Sequence, residues 1–145
     1  MIRRFCFGII FLFVFTATAH AEMVSVSSDQ ARMRSGPGEK YPIQWELSVG
    51  FPLKVIARQG KWLKVTDYES DKGWIYKTLV AKTPHMIVKV PKAIIRSSPG
   101  DNQRMVANAN RGVVLRTIKQ KKGWVQVKHE SGLVGWVRRD TLWGW

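Results

Sequence analysis

Ala31-Arg32-Met33-Arg34-Ser35-Gly36-Pro37-Gly38 returns 62 positions later as Ala93-Ile94-Ile95-Arg96-Ser97-Ser98-Pro99-Gly100. The register runs on in both directions without a gap. Upstream, Val26 meets Val88. Downstream, Gly50 meets Gly112, Leu53 meets Leu115, Ile56 meets Ile118, Trp62 meets Trp124, Val65 meets Val127, and Gly73-Trp74 meets Gly135-Trp136. Thirteen identities fall on this one offset, mostly Gly, Pro, Trp and aliphatic residues. Turn formers and core formers do not coincide this way by chance, so the chain carries an internal repeat. A unit of this length is too long for one solenoid turn and suits a small autonomous domain.

Within each unit the residues read as short strands. Val24 to Ser27 and Met86 to Val90 open the copies, and Leu53 to Arg58 and Val113 to Ile118 are β-rich middle runs. Lys61 to Tyr68 and Gly123 to His129 follow. Tight turns stand at Glu69-Ser70-Asp71-Lys72-Gly73 and Glu130-Ser131-Gly132, and Gly73 to Tyr76 and Gly135 to Arg138 are expected to close the sheets. Residues 35–47 and 97–109 read as long loops. No stretch after the N-terminus keeps a 3.6-residue apolar period, which leaves no place for a long helix. The fold expected is all-β: two small barrels at 22–82 and 86–145, joined by a linker at 83–85.

The ordered motifs carry a resemblance. Arg34-Ser35-Gly36-Pro37-Gly38, Gly50, Trp62-Leu63-Lys64-Val65 and Gly73-Trp74-Ile75 stand in the first copy. Arg96-Ser97-Ser98-Pro99-Gly100, Gly112, Trp124-Val125-Gln126-Val127 and Gly135-Trp136-Val137 stand in the second. Each set resembles a bacterial SH3 domain, and the resemblance covers nearly all of the chain after residue 21. It implies two tandem SH3-like barrels. It further implies an envelope or cell-wall targeting role, since such modules often accompany peptidoglycan hydrolases. SH3-like barrels host many functions, so the fold alone does not choose among them.

The N-terminus reads as an export signal. Arg3 and Arg4 precede an apolar run of eleven residues, Phe5 to Phe15, and Ala19-His20-Ala21 offers a small-x-small cleavage pattern. The run is shorter than the roughly 20 apolar residues that span a bilayer. Residues 1–21 are therefore expected to be a signal helix cleaved after Ala21, placing the protein in the periplasm or outside the cell with no transmembrane segment. Cys6, the single cysteine, leaves with that segment. The remainder has neither disulfide nor thiolate chemistry.

Charge and aromatics divide unequally between the copies. The whole chain has net charge +14. Residues 22–85 hold 10 basic and 7 acidic side chains, whereas residues 86–145 hold 12 and 3. Strand alternation sets Leu63 with Val65, and Val125 with Val127, on inward faces. Trp62, Trp74, Tyr76, Trp124 and Trp136 then fall on the polar side. With Tyr41 and Trp45 of the first copy's loop, they are the candidate ligand-binding aromatics. The alternative is that these rings lie beneath the long loops and complete small cores. In the second copy Arg116, Lys119, Lys121, Lys122, Arg138 and Arg139 are the candidate anion-binding residues, set against the reading of a merely solvated surface.

Catalytic parts are scarce. His85 and His129 have no triad or metal spacing around them, the carboxylates sit mostly in turns, and no glycine-rich phosphate loop is present. No enzyme, cofactor or metal is expected. The expected function is non-catalytic binding of peptidoglycan or other envelope material. The alternatives are an adaptor docking on an envelope enzyme, sensor or transporter, and electrostatic attachment to anionic lipid or lipopolysaccharide through residues 86–145. An exported protein meets little nucleic acid, so that partner is not expected. The terminal Leu142-Trp143-Gly144-Trp145 reads as having no counterpart in the first copy and is expected to cap the second barrel.

Overall fold

The computed structural model describes residues 21–145. The export-signal reading lies outside the described residues, apart from Ala21. The first sheet is built from β1 (Glu22–Val26), β2 (Ala31–Arg34), β3 (Ile43–Leu47), β4 (Pro52–Gln59), β5 (Trp62–Thr66), β6 (Lys72–Tyr76) and β7 (Val80–Ala81). The second repeats it with β8 (His85–Val88), β9 (Lys92–Arg96), β10 (Met105–Asn110), β11 (Val114–Lys121), β12 (Trp124–Lys128), β13 (Val134–Arg138) and β14 (Leu142–Gly144). Both are antiparallel, in the orders β3-β2-β6-β5-β4-β1-β7 and β10-β9-β13-β12-β11-β8-β14. A short 3-10 turn, Lys77–Leu79 or Arg139–Thr141, precedes the last strand of each. The described residues contain no α-helix.

Each sheet wraps its own core, and the two cores share the repeat's register. Val24, Val26, Ala31, Met33, Leu47, Leu53, Leu63, Val65 and Ile75 fill the first. The second has Met86, Val88, Ala93, Ile95, Ala109, Leu115, Val125, Val127 and Val137 at the same positions plus 62, with Leu142 added. The alternation in β5 and β12 is as expected: Leu63, Val65, Val125 and Val127 are buried, and the residues between them are half-exposed. Paired cores of similar volume follow from period-two strands that expose one face to water.

Three expectations need correction. The stretches 35–47 and 97–109 are not loops throughout, since β3 and β10 occupy their second halves as edge strands. Gly73–Tyr76 and Gly135–Arg138 do not close the sheets, because both lie inside them, flanked by β5 and β2, or β12 and β9. The C-terminal tail does have a counterpart. Leu142 and Trp143 pair with Val88 and Ile87, as Val80 and Ala81 pair with Val26 and Ser25. The tail is thus the last strand of the second barrel, with Leu142 in the core. Ile56 and Ile118, identical in the repeat, are exposed, because each stands at a register shift in β4 or β11 that turns it outward.

The barrels touch. The Thr83 carbonyl accepts hydrogen bonds from Ser25 Oγ at 2.7 Å and from His85 Nδ1 at 3.0 Å, which places the imidazole proton on Nδ1. His85, read as linker from the sequence, is the first residue of β8. It packs on Gly50 of the first barrel, where a Cβ would stand 2.9 Å from the imidazole Cδ2. Across the same junction the Arg111 guanidinium lies 5.5 Å from the Tyr68 ring centroid and 4.0 Å from Glu69 Oε2. A cation over an aromatic face adds modest attraction at such a half-exposed contact.

This junction is expected to weaken in acid. Burial lowers the pKa of His85 below its ordinary 6.5; the hydrogen bond to Thr83 opposes that shift, and the charge of Arg116 reinforces it. Asp29, Lys128, His129 and Glu130 also line the cleft that His85 faces. The folded state therefore prefers neutral imidazole. Its contribution is complete above the unfolded pKa and is lost as pH falls through the lowered folded value. Thermal unfolding followed from neutral to mildly acidic pH should show a steeper loss for the wild type than for His85→Asn. Parallel profiles would contradict this role.

Candidate functional site

The repeat brings one aromatic corner to the same place on each barrel, and the two corners have diverged. In the first barrel Trp62 and Tyr76 are register partners across β5 and β6. Their rings meet edge to face, with centroids 5.3 Å apart and planes at 67°. Beside them opens a groove of about 380 Å³, lined also by Asp29, Gln30, Arg32, Arg34, Glu39 and Leu79. The Arg34 guanidinium fixes the turn that forms one wall. Its Nη1 donates to the carbonyls of Glu39 at 2.9 Å and Tyr41 at 3.0 Å. The groove therefore offers an apolar aromatic face next to side chains of both charges, on a rigid sheet.

In the second barrel Arg138 replaces Tyr76. Its guanidinium stands 5.7 Å from the centroid of the Trp124 ring. It also grips Asp101, the counterpart of Glu39, with Nη1 at 2.7 and 2.8 Å from the two carboxylate oxygens. Hydrogen bonding to Asp101, with the nearby charge of Asp140, raises the pKa of Arg138 still further. The equivalent corner is thus bridged by the protein's own ion pair.

The other sequence candidates separate in the same way. Trp74 is half-buried between its partners Lys64 and Arg34. Its counterpart Trp136 is only 8% exposed, which corrects the expectation of an outward platform. The reason is Lys119, whose ammonium lies 5.6 Å from the ring centroid. The first barrel has Ala57 at that position, too short to cover a ring. Tyr41 stacks on Gly36, where a Cβ would stand 2.4 Å from its Cδ1, so it holds the turn together. Trp45 is 49% exposed on the edge strand β3, near Ile43 at 44%, and lies outside the groove lining.

The six basic candidates do not form one patch. Arg138 is paired with Asp101 and Asp140, and Arg139 donates to the carbonyls of Leu142 and Gly144, so both are engaged structurally. Lys119 covers Trp136. Lys121 and Lys122 lie on the exposed hairpin between β11 and β12, where Lys122 takes the left-handed conformation with φ 48°. Arg116 lies apart from these, in the cleft between the barrels.

Sequence reasoning missed the polar half of the groove: Asp29, Gln30, Arg32, Arg34 and Glu39. Arg34 was visible as a repeated residue, but its part in bracing the turn depends on chain folding. No group of three or more His, Cys, Asp or Glu side chains suited to a metal occurs among the described residues. None of their helices is long and apolar enough to cross a membrane.

Sheet order, paired cores and repeated corner together define a tandem of SH3-like barrels. The chain belongs to the bacterial SH3 domain family, which matches residues 27–82 and again residues 89–144. It is similar to the putative N-acetylmuramoyl-L-alanine amidase YrvJ of Bacillus subtilis (strain 168), with 25% identity over 138 residues, 88% of this chain and 26% of that protein. It is also similar to the probable cell wall amidase LytH of Staphylococcus aureus, with 39% identity over 49 residues, 33% of this chain and 17% of that one. The chain thus spans about a quarter or less of these curated relatives. Among solved structures it resembles NlpC2 from Trichomonas vaginalis, at a TM-score of 0.39 and 12% identity over 88% of this chain and 49% of that one.

Proposed function

We propose that the chain is a non-catalytic cell-wall-binding protein that acts outside the cytoplasm, and that the groove of the first barrel takes peptidoglycan. The observation that carries this reading is the open Trp62–Tyr76 corner beside Arg34 and Glu39. Aromatic faces pack against the apolar faces of sugar rings, while neighbouring charges pair with a peptide's ammonium and carboxylate groups. Peptidoglycan presents both chemistries together. The relatives named as amidases support the setting. In the sequence, neither histidine after residue 21 stands in a triad or metal-ligand spacing, which favours binding without reaction.

Sedimentation with purified sacculi tests the proposal. Wild-type protein should pellet with sacculi, and Trp62→Ala should weaken retention roughly tenfold, as loss of a central aromatic anchor does elsewhere. Equal sedimentation of both proteins, with circular dichroism showing both folded, would refute it. A second reading, docking on an envelope protein, is favoured by Trp45 and Ile43 on the β3 edge, which leaves backbone groups available for an added strand. In-cell crosslinking to one protein, without sacculus binding, would favour that reading.

A further inference from the structure

The cleft between the barrels has a different chemistry from the groove. It encloses about 1000 Å³ and is lined from the first barrel by Asp29, Gln30, Ser48 and Val49. The second barrel supplies the floor. There His85 of β8 is the register partner of Arg116 in β11, and Arg116 is the register partner of Lys128 in β12. A neutral imidazole and two cationic side chains thus stand in a row across three adjacent strands, and all three line the cleft. Directly opposed residues on one sheet face have Cβ atoms about 5 Å apart, and like charges so placed repel. The row spans roughly 10 Å at ordinary strand spacing.

Nothing in the barrel's own architecture requires this. The same row in the first barrel is Met23, Lys54 and Thr66, with a single charge. Nor is the charge neutralised internally. Among the described residues neither Arg116 nor Lys128 forms an ion pair, although Asp29 and Glu130 stand in the cleft lining. A repulsive row retained in a concave site is relieved by a bound anion. The lining holds no Trp, Tyr or Phe, which argues against a stacked sugar or base. The concavity argues against a flat membrane surface.

We infer that the Arg116–Lys128 pair, beside His85, is a binding site for a phosphate-bearing anion that enters the cleft between the barrels. Several oxygens spread along the ligand match donors spread along the row, whereas a lone carboxylate would occupy only one of them. Asp29 and Gln30 line both cavities, but neither Arg116 nor Lys128 borders the Trp62–Tyr76 groove, and the inference stands whether or not that groove takes peptidoglycan.

Titration with tripolyphosphate at about 0.1 M salt, read by calorimetry and by amide shifts, tests the inference. Saturable one-to-one binding is expected, with shifts centred on β8, β11 and β12. Arg116→Gln with Lys128→Gln should weaken it by roughly tenfold for each charged donor removed. Lys121→Gln with Lys122→Gln, an equal loss of charge roughly 17 Å further along β11, should leave affinity within about twofold, because charges beyond a Debye length are largely screened. Trp62→Ala should also leave it unchanged. Equal weakening by the two double variants would overturn the inference, as would no saturable binding. Capture of the protein on phosphatidylglycerol vesicles that tripolyphosphate fails to displace would overturn it as well.

Discussion

Gly135→Val is expected to destabilise the second barrel by about 3 kcal/mol or more, at or beyond the usual limit for overpacking. A Cβ on Gly135 would stand 2.4 Å from Ile95 Cγ2, 2.9 Å from the Arg96 carbonyl oxygen and 3.4 Å from Val106 Cγ2. The carbonyl belongs to the neighbouring strand β9, so relief requires separating two strands at the centre of the sheet. Gly73 holds the same place in the first barrel, but there the nearest atoms are Cγ and Sδ of Met33, with the Arg34 carbonyl oxygen at 3.1 Å. An unbranched thioether yields more readily than a β-branched isoleucine. Urea unfolding should accordingly rank Gly135→Ala as more damaging than Gly73→Ala. The reverse order would show that the identity of the packed neighbour does not set the cost. These glycines recur in the repeat because two strands cross closely there, not because a turn requires them.

Tyr76→Arg should remove sacculus binding, by roughly tenfold or more, while leaving the protein folded. The substitution places in the first barrel the residue that the second barrel uses at this position. Arg138 lies over Trp124 and grips Asp101 in a bidentate pair. Tyr76→Arg would bring a guanidinium to Trp62 with Glu39 in the place of Asp101. The corner would then satisfy itself, and a ligand would have to displace that pair. Exposed ion pairs contribute little to stability, so the unfolding midpoint should hardly move. Retained binding would mean that the open Trp62–Tyr76 face is not what the ligand meets.

The distribution of these features explains what was legible in the sequence. The cores were, since nine buried positions in each barrel follow one offset and the aliphatic pairs of β5 and β12 alternate strictly. The edge strand β3 was less visible because all but Leu47 of its residues are exposed. Its Ile43, Trp45 and Leu47 nonetheless alternate with Gln44 and Glu46, the signal by which it could be found. β10, reading Met-Val-Ala-Asn-Ala-Asn, alternates only in alanine and asparagine, which are depleted in strands and give a weaker signal.

The aromatic half of the groove was legible from strand phase, whereas its polar half depends on how the turns near residues 29 and 39 fold back. Alternation gives the side of a sheet on which Trp136 lies, but not that Lys119 reaches over it. In the same way the basic count of the second copy was plain, yet its partition was not. Arg138 and Arg139 are spent on internal contacts, and Arg116 and Lys128 meet His85 only through strand register.

The tryptophans themselves provide the most direct test of the central claim. Each indole N–H gives its own resonance, so a titration with soluble peptidoglycan fragments reports on each ring separately. Movement of the Trp62 signal, with Trp124 and Trp136 unmoved, is the predicted result. A spectrum in which Trp62 stays still while binding proceeds, or in which Trp124 moves as far as Trp62, would contradict it.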